Sequence, residues 1–187
     1  MEEVKKKRCS WVSNSEIHKD YHDKEWGVPI YDDKELYETL VLETFTTGLS
    51  WLIILKKREN FRKAFDNFDP DKVAEYDEQK VEELCKNTDI IRSPGKIKAT
   101  ISNTRIFKSI QKEYGTFSKY IWGYTDNKII KNTDNRFNFH NDVAVKISED
   151  LKKRGMKYVG PVTVNAFLEA MGMINNHETE CFRYNEL

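Results

Sequence analysis

Four residues near the two ends of the chain have side chains that bind zinc: Cys9, His22, His177 and Cys181. Two cysteines and two histidines form the donor set of a closed, tetrahedral structural zinc site. His177 and Cys181 are four residues apart, so on a helix or a single turn their side chains face the same way. This spacing alone occurs more often without a metal than with one. Further evidence from the intervening sequence is therefore needed before we can predict a zinc site that joins the first and last segments.

Glu43 is a carboxylate on an apolar helix face. Leu36 and Leu40 define the apolar stripe of a helix that begins at Asp33, and Glu43 lies on that stripe. The helix ends before Gly48, which places Glu43 in its last turn, where the helix dipole disfavours an anion. A buried carboxylate without a partner is costly. Two interpretations follow: Glu43 binds a ligand, or it pairs with a buried arginine.

Aromatic residues occur in the same segments as these polar groups, at Trp11, Tyr21, Trp26 and Trp51. Flat rings beside an anion suit a planar, cationic ligand, through stacking and cation–π attraction. Core packing is the alternative for each ring taken singly.

Length and composition indicate an ordinary globular domain. The chain has 187 residues, of which 33% are charged and 39% hydrophobic, and one domain is expected for this length. Three cysteines and an N-terminus without an apolar segment predict a reducing, cytoplasmic location. No apolar run approaches the roughly 20 residues of a membrane span. No membrane association is therefore expected.

The overall charge gives no reason to propose a nucleic-acid partner, because 31 basic residues balance 31 acidic ones. Basic residues do cluster at 56–58, at 96 and 98, and at 152–154. Such clusters either complement helix C-termini or, if they share one face, contact a nucleic-acid backbone.

Capping residues, prolines and glycines predict an all-α chain. Asp32 or Asp33 caps the first predicted helix, with Glu35 placed for a capping box. The polar stretch 125–141 is predicted to be a loop, and no run of strands is expected. Helices are predicted over 33–45, from 50, from 70, over 77–85, 94–115, 117–122, 142–154 and 161–172.

The segment 142–172 predicts two helices joined by a short hairpin. Asp142 caps the first helix, Gly155 suits the left-handed position after its last turn, and Pro161 begins the second helix. Gly160 permits close approach of the backbone, and free N–H groups at the following helix start can hold an anion. A plain helical hairpin is the alternative.

Short motifs along the chain occur in the order of a known family. They are CSW (9–11), YHDKEWGVP (21–29), LE (42–43), GLSW (48–51), LKKRE (55–59), FDP (68–70), IIR (90–92), GKI (95–97), LKKRG (151–155), VGP (159–161) and His177-x3-Cys181. From about Cys9 to Cys181 the chain resembles the bacterial 3-methyladenine DNA glycosylases I, the TAG type.

This resemblance implies a single all-α domain over 1–187 with the helix-hairpin-helix DNA glycosylase fold, in which one structural zinc joins the N- and C-termini. It implies that Glu43 is the catalytic, base-binding glutamate. The positions that match the family's other site residues are Trp11, Tyr21 and Trp51 for stacking on the base, Gly48 and Leu49 for pressing into the base stack, Lys153 and Gly160 for the DNA backbone, and Cys9, His22, His177 and Cys181 for zinc.

The implied activity is hydrolysis of the N-glycosidic bond of 3-methyladenine in double-stranded alkylated DNA, with free 3-methyladenine as product. A monomer is expected. Many members of the superfamily carry an aspartate after the second hairpin helix, whereas this chain reads Asn175-Asn176-His177. That difference fits a monofunctional enzyme without a lysine nucleophile.

The chain departs from the family pattern at two places. Residues 44–47 read Thr-Phe-Thr-Thr where the family commonly ends in Gln-Ala, with Phe45 and Thr47 the most visible changes, and His18 stands where a tyrosine is common. Both departures predict an altered pocket or intercalating turn. One rival interpretation is a zinc-stabilised DNA-binding homologue with weak or altered excision. A second, a zinc hydrolase, needs an open ligand position, which four protein ligands do not leave.

Overall fold

The structure, a computed structural model, describes residues 6–133 and 141–187. These residues form nine α-helices, two single 3-10 turns and two strands of two residues each, which confirms the all-α prediction. The helices are α1 (Glu16–Lys24), α2 (Asp33–Thr46), α3 (Trp51–Ala64), α4 (Pro70–Ala74), α5 (Glu78–Lys86), α6 (Pro94–Tyr114), α7 (Phe117–Trp122), α8 (Asp142–Lys153) and α9 (Pro161–Ala170). Within the described residues, no helix is both long and apolar enough to cross a membrane.

Most helix starts follow from capping residues that the sequence displays. The Asp32 carboxylate accepts hydrogen bonds from the backbone N–H groups of Lys34 and Glu35, both at 3.0 Å. The start of α8 differs by one residue from the prediction, because the side chain of Asn141, not Asp142, accepts from the backbone N–H of Val143 at 2.9 Å.

Helix α1 was not predicted from the sequence. Its buried residues are His18, Tyr21 and His22, so its inner face is polar and aromatic, and it shows no stripe of aliphatic residues at helical spacing. The polar and aromatic residues on this face prevent a hydrophobic-pattern analysis from detecting the helix, and the same residues pack it against the site.

The loop predicted over 125–141 contains a short strand. β1 (Ile130–Lys131) pairs in parallel with β2 (Ile174–Asn175), with Ile130 opposite Ile174. Each strand has only two residues, too few to produce an alternating pattern in the sequence, so the loop prediction did not include this pairing. The remainder of that prediction, residues 134–140, lies outside the described residues.

Two groups of buried side chains hold the helices together. The larger consists of aliphatic and aromatic residues from the helices α2 to α9 and from the segments that connect them. The smaller joins the chain ends and contains Cys9, Tyr21, Trp26, Leu55, Ala170 and Cys181. Gly172, at φ +78°, lets the end of α9 approach residues 27–29, since a Cβ there would lie 2.5 Å from the backbone nitrogen of Pro29.

Helices α8 and α9 form the predicted hairpin. Gly155 takes the expected left-handed conformation at φ +100°, and the Ser148 hydroxyl donates to the carbonyl of Val159 at 2.7 Å. Asn103 of α6 braces the hairpin, because its amide group both donates to and accepts from the backbone of Lys157 at 2.8 Å. The hairpin is thus fixed on the helical core.

Candidate functional site

The four predicted metal ligands meet in one buried cluster. The ligand atoms of Cys9, His22, His177 and Cys181 all lie within 4.8 Å of one another. The Cys181 sulfur lies 3.4 Å from His22 Nε2 and 3.5 Å from His177 Nδ1, and the Cys9 sulfur lies 3.5 Å from His177 Nδ1. Tetrahedral zinc with its usual bond lengths requires a sulfur-to-nitrogen separation of about 3.6 Å. The cluster therefore has the spacing of a tetrahedral metal site.

Neighbouring groups orient both histidines for this role. His22 Nδ1 donates to the Asp23 carboxylate at 2.8 Å, and Arg8 Nε donates to the same carboxylate at 2.8 Å. His177 Nε2 donates to the carbonyl of Trp26 at 3.2 Å. These bonds leave His22 Nε2 and His177 Nδ1 as the ligand atoms, as second-shell partners of bound metals usually do. Burial lowers the pKa of His177 to about 4, so its ring is neutral, as metal binding requires.

Hydrogen bonds next to the cluster also join the two ends of the chain. The backbone N–H of Phe182 donates to the carbonyl of Lys7 at 2.9 Å, and the backbone N–H of Ser10 donates to the Glu178 carboxylate at 2.9 Å. The prediction of a site that joins the first and last segments is thus confirmed in its geometry.

A cavity of about 240 Å³ lies beside this cluster. This volume is below the roughly 300 Å³ of most small-molecule pockets, so it suits a single ring system. The rings of Tyr21 and Trp51 are 5.2 Å apart and tilted by 47°, and Trp11 packs edge-on against Trp26 at 4.8 Å. All of the predicted base-binding residues line the cavity: its lining consists of Trp11, Tyr21, Trp26, Glu43, Thr46, Trp51, Ala166 and Glu169.

Three polar groups of the cavity lack a protein partner. Glu43 is 6% exposed, and its side chain forms no hydrogen bond or ion pair with the described residues. The indole N–H groups of Trp11 and Trp51 are also buried and unpaired among those residues. Among the described residues, no arginine bonds Glu43, and Arg58 bonds Glu25 instead. Because buried polar groups are nearly always satisfied, these three groups are available to bond a polar molecule in the cavity.

Burial, and secondarily the charge of Glu169, raise the pKa of Glu43 from 4.5 to about 8. Between these values the folded protein keeps a proton that the unfolded chain releases. The free energy of unfolding therefore falls as pH rises from about 5 to 8.

We expect Glu43→Gln to abolish this contribution. From pH 5 to pH 8, the free energy of unfolding of the variant should rise by about 3 kcal/mol relative to that of the natural protein. Urea unfolding at pH 5, 6, 7 and 8 measures it, with the exposed Glu75→Gln as the charge-matched control. Parallel pH profiles for the Glu43 variant and the natural protein would contradict a buried, proton-binding Glu43.

Glu169 is a cavity residue that the sequence analysis missed. It lies on α9 and accepts hydrogen bonds from the side-chain amides of Asn165 and Asn176, at 2.7 and 2.8 Å. Burial raises its pKa from 4.5 to about 7. The sequence does contain a signal for Glu169. An acidic residue within the apolar run VTVNAFLEAM is as unusual as Glu43 on the apolar face of its helix.

The residues that depart from the family pattern differ in whether they line the cavity. Phe45 is fully buried against Phe61, with ring centroids 4.8 Å apart, so it changes the core and not the cavity wall. Thr46 lines the cavity. His18 does not line it: its Nδ1 accepts from the backbone N–H of Ser13 at 3.1 Å, and its ring lies 5.1 Å from that of Trp11. His18 thus supports Trp11 from behind.

The turn between α2 and α3 lies next to the start of α9. Gly48 adopts φ +82°, and Leu49 is 39% exposed. The hydroxyl groups of Thr47 and Thr163 are 3.5 Å apart, which joins this turn to the first turn of α9. Gly160 precedes α9 without a side-chain cap. Its φ of −64° and the open space around its Cα show that no contact within the described residues requires glycine there.

Most cations of the three basic clusters are already bonded. Arg58 pairs with Glu25, Lys98 with Glu78, and Arg154 with Asp150 and Glu113. Lys96 donates to the carbonyls of Phe45 and Thr47 at 2.9 and 2.7 Å and so caps α2. Within these three clusters, the exposed lysines for which the described residues provide no ion pair are Lys56, Lys152 and Lys153.

Comparison with known proteins agrees with this geometry. The family model described as methyladenine glycosylase matches residues 11–184. The DNA-3-methyladenine glycosylase 1 of Escherichia coli is 39% identical over 180 residues, 95% of this chain and 96% of that protein. Its counterpart from Haemophilus influenzae is 38% identical, over 93% of this chain and 96% of that protein.

A solved structure of a variant 3-methyladenine DNA glycosylase I in complex with 3-methyladenine has a TM-score of 0.89 and 36% identity, covering 95% of this chain and 97% of that one. The fold is therefore that of the all-α DNA glycosylases. Within that class, the chain belongs to the methyladenine glycosylase family.

Proposed function

We propose that this protein is a monofunctional DNA glycosylase that hydrolyses the N-glycosidic bond of 3-methyladenine in double-stranded DNA. The observation that carries the proposal is the buried, unpaired carboxylate of Glu43 inside an aromatic cavity of about 240 Å³. The names of the relatives support it, since both similar enzymes are DNA-3-methyladenine glycosylases. A DNA substrate supports the expected cytoplasmic location, and action as a monomer stays a prediction.

The chemistry of the lesion matches the cavity. An adenine methylated at N3 carries a positive charge in the nucleotide and leaves as a neutral base, so its glycosidic bond is already weak. Glu43 accepts hydrogen bonds from the base and stabilises its cationic form. The rings of Trp11, Tyr21 and Trp51 provide faces that attract a cation more than neutral adenine. Water then attacks the sugar carbon after the base has been extruded.

The face next to the cavity suits the extruded nucleotide. Leu49 presses into the base stack from the turn at Gly48, and the start of α9 after Gly160 receives a backbone phosphate through its free N–H groups. Thr47 and Thr163 join these two elements at 3.5 Å. Helix α9 then continues to Ala166 and Glu169 in the cavity wall. Helix α9 therefore takes part in both the proposed DNA-binding face and the base site.

We infer that the metal that fits this cluster is zinc, in a structural role. It would be held by Cys9, His22, His177 and Cys181, and it would supply a cross-link between the chain ends. None of these four residues lines the cavity, and each is at most 3% exposed. A substrate therefore has no route to the metal, which argues against the zinc hydrolase alternative.

Release of free bases from methylated DNA tests the proposed function. Duplex DNA treated with a methylating agent contains several methylated purines, and chromatography of the released bases identifies those that the enzyme excises. We expect 3-methyladenine as the main product. Tight binding to the DNA without release of any base would instead support the zinc-stabilised DNA-binding homologue.

DNA affinity should fall with salt, and Lys153 should contribute to that dependence. A plot of log affinity against log salt concentration has a negative slope, and each phosphate that a lysine neutralises makes this slope steeper by about 0.9. We therefore expect Lys153→Ala to reduce the slope by about 1. Fluorescence anisotropy with labelled duplex at 50–200 mM salt measures it.

Lys98→Ala is the control for that measurement, because Glu78 already neutralises Lys98. Its slope should match that of the natural protein. An unchanged slope in the Lys153 variant would remove the end of α8 from the DNA interface.

A further inference from the structure

The cavity that contains Glu43 holds a second carboxylate, that of Glu169. The two residues come from different helices, α2 and α9, and both line the cavity together with Trp11, Tyr21 and Trp51. The negative charge of Glu169 contributes to the raised pKa of Glu43, so the two carboxylates act on each other. Both residues therefore belong to the lining of the site proposed for the base.

Glu169 is held in a defined orientation. Asn165 and Asn176 both donate to the same oxygen, Oε1. These asparagines are 3% and 6% exposed, and Asn132 in turn donates to the side-chain carbonyl of Asn176 at 2.5 Å. Among the described residues, no group bonds Oε2 of Glu169. One oxygen thus anchors the carboxylate, and the other is left for a ligand.

Among the residues that the structure describes, the cavity lining offers these carboxylates no lysine and no arginine. Arg58, on the same helix as Trp51, is bonded to Glu25. Two unneutralised carboxylates in one small cavity repel each other when both are ionised. A cationic ligand relieves this repulsion, whereas a neutral ligand of the same shape does not.

We propose that Glu169 is a second base-binding residue, which makes the cavity selective for a positively charged purine over a neutral one. This inference rests on the proposed function. Glu43 and Glu169 together would attract the N3-methylated nucleobase while it still carries its charge. After the glycosidic bond breaks, the neutral base loses that attraction, which favours its release.

The experiment compares two ligands that differ in charge: 3,9-dimethyladeninium, a permanent cation, and 3-methyladenine, which is mainly neutral at pH 7.5. Quenching of tryptophan fluorescence gives both dissociation constants. Glu169→Gln keeps a carbonyl oxygen for Asn165 and Asn176, removes the negative charge, and places an amide NH2 group where the second oxygen lies. We expect it to weaken binding of the cation about tenfold or more, as loss of a charge-assisted contact does, and to change binding of 3-methyladenine less than about twofold.

Equal weakening of both ligands would overturn the inference, because it would mean that Glu169 only shapes the cavity. So would an unchanged preference for the cation. Glu75→Gln controls for the loss of one negative charge on the exposed surface, and thermal unfolding of each variant shows that it folds. If the natural protein binds neither ligand and releases no base, the proposed function itself fails. Normal base release with the same charge preference in the Glu169 variant would overturn the role of Glu169 alone.

Discussion

Replacing Glu43 with glutamine should lower the rate of 3-methyladenine release from DNA by about 100-fold or more. Glutamine has nearly the same shape and still accepts a hydrogen bond, but it cannot ionise when a cationic base binds beside it. Losing a single group that stabilises developing charge in an active site commonly costs 100- to 1,000-fold in rate. Release under single-turnover conditions, with enzyme in excess over methylated duplex, measures the chemical step directly.

This prediction separates catalysis from DNA binding. The residues proposed to hold the DNA, Leu49, Lys153 and Gly160, lie outside the cavity lining. The affinity of the Glu43 variant for undamaged duplex should therefore stay within about threefold of the natural value. If the variant released base at the natural rate, Glu43 would have no part in the reaction, whatever its burial.

Replacing Cys181 with alanine should destabilise the fold by several kcal/mol, on the order of 5 kcal/mol. Structural zinc contributes its binding free energy to folding, about 10 kcal/mol or more in small zinc domains, and three remaining ligands hold the metal less tightly. A loss of this size is a large fraction of the 5–15 kcal/mol that stabilises a typical domain. Chemical unfolding of the zinc-loaded variant gives the value.

Cys85→Ala provides the matched control, since Cys85 is a half-buried free cysteine outside the cluster. Its stability should fall by less than about 2 kcal/mol. Removal of the metal from the natural protein by a chelator should lower its melting temperature, and zinc should restore it. Identical melting curves with and without zinc would contradict a structural metal at these four residues.

The metal cluster and the cavity share part of the chain. Tyr21 of the cavity and His22 of the cluster are neighbours on α1, and Trp11 lies two residues after Cys9 with its ring 5.4 Å from that of His22. The cluster therefore fixes one wall of the cavity. Loss of the metal should weaken base binding indirectly, through Tyr21 and Trp11.

Sequence patterns were sufficient where one residue determines the local structure. Asp32, Asp69 and Pro94 mark helix starts that the structure contains, because capping and proline geometry act over a few residues. The metal cluster was predictable for a related reason. Cysteine and histidine are scarce in this chain, so the four ligands stand out without knowledge of the fold.

The features that sequence analysis missed depend on contacts between distant segments. Helix α1 buries His18 and His22 and so lacks an aliphatic stripe. The group that orients His177 is the backbone carbonyl of Trp26. Every residue has such a carbonyl, so the sequence does not reveal this contact. Glu169 acquires its meaning only because α9 brings it to the same cavity as Glu43. Tertiary contacts of this kind override local propensity.

The most direct test of the central claim is the stoichiometry of the products formed from duplex DNA containing 3-methyladenine. Hydrolysis by this cavity predicts one free 3-methyladenine for each abasic site, an intact DNA strand until the abasic sites are cleaved chemically, and loss of both products in Glu43→Gln. If the natural enzyme bound this DNA and formed neither free base nor abasic sites, the account of Glu43 as the catalytic carboxylate of a glycosylase would be wrong.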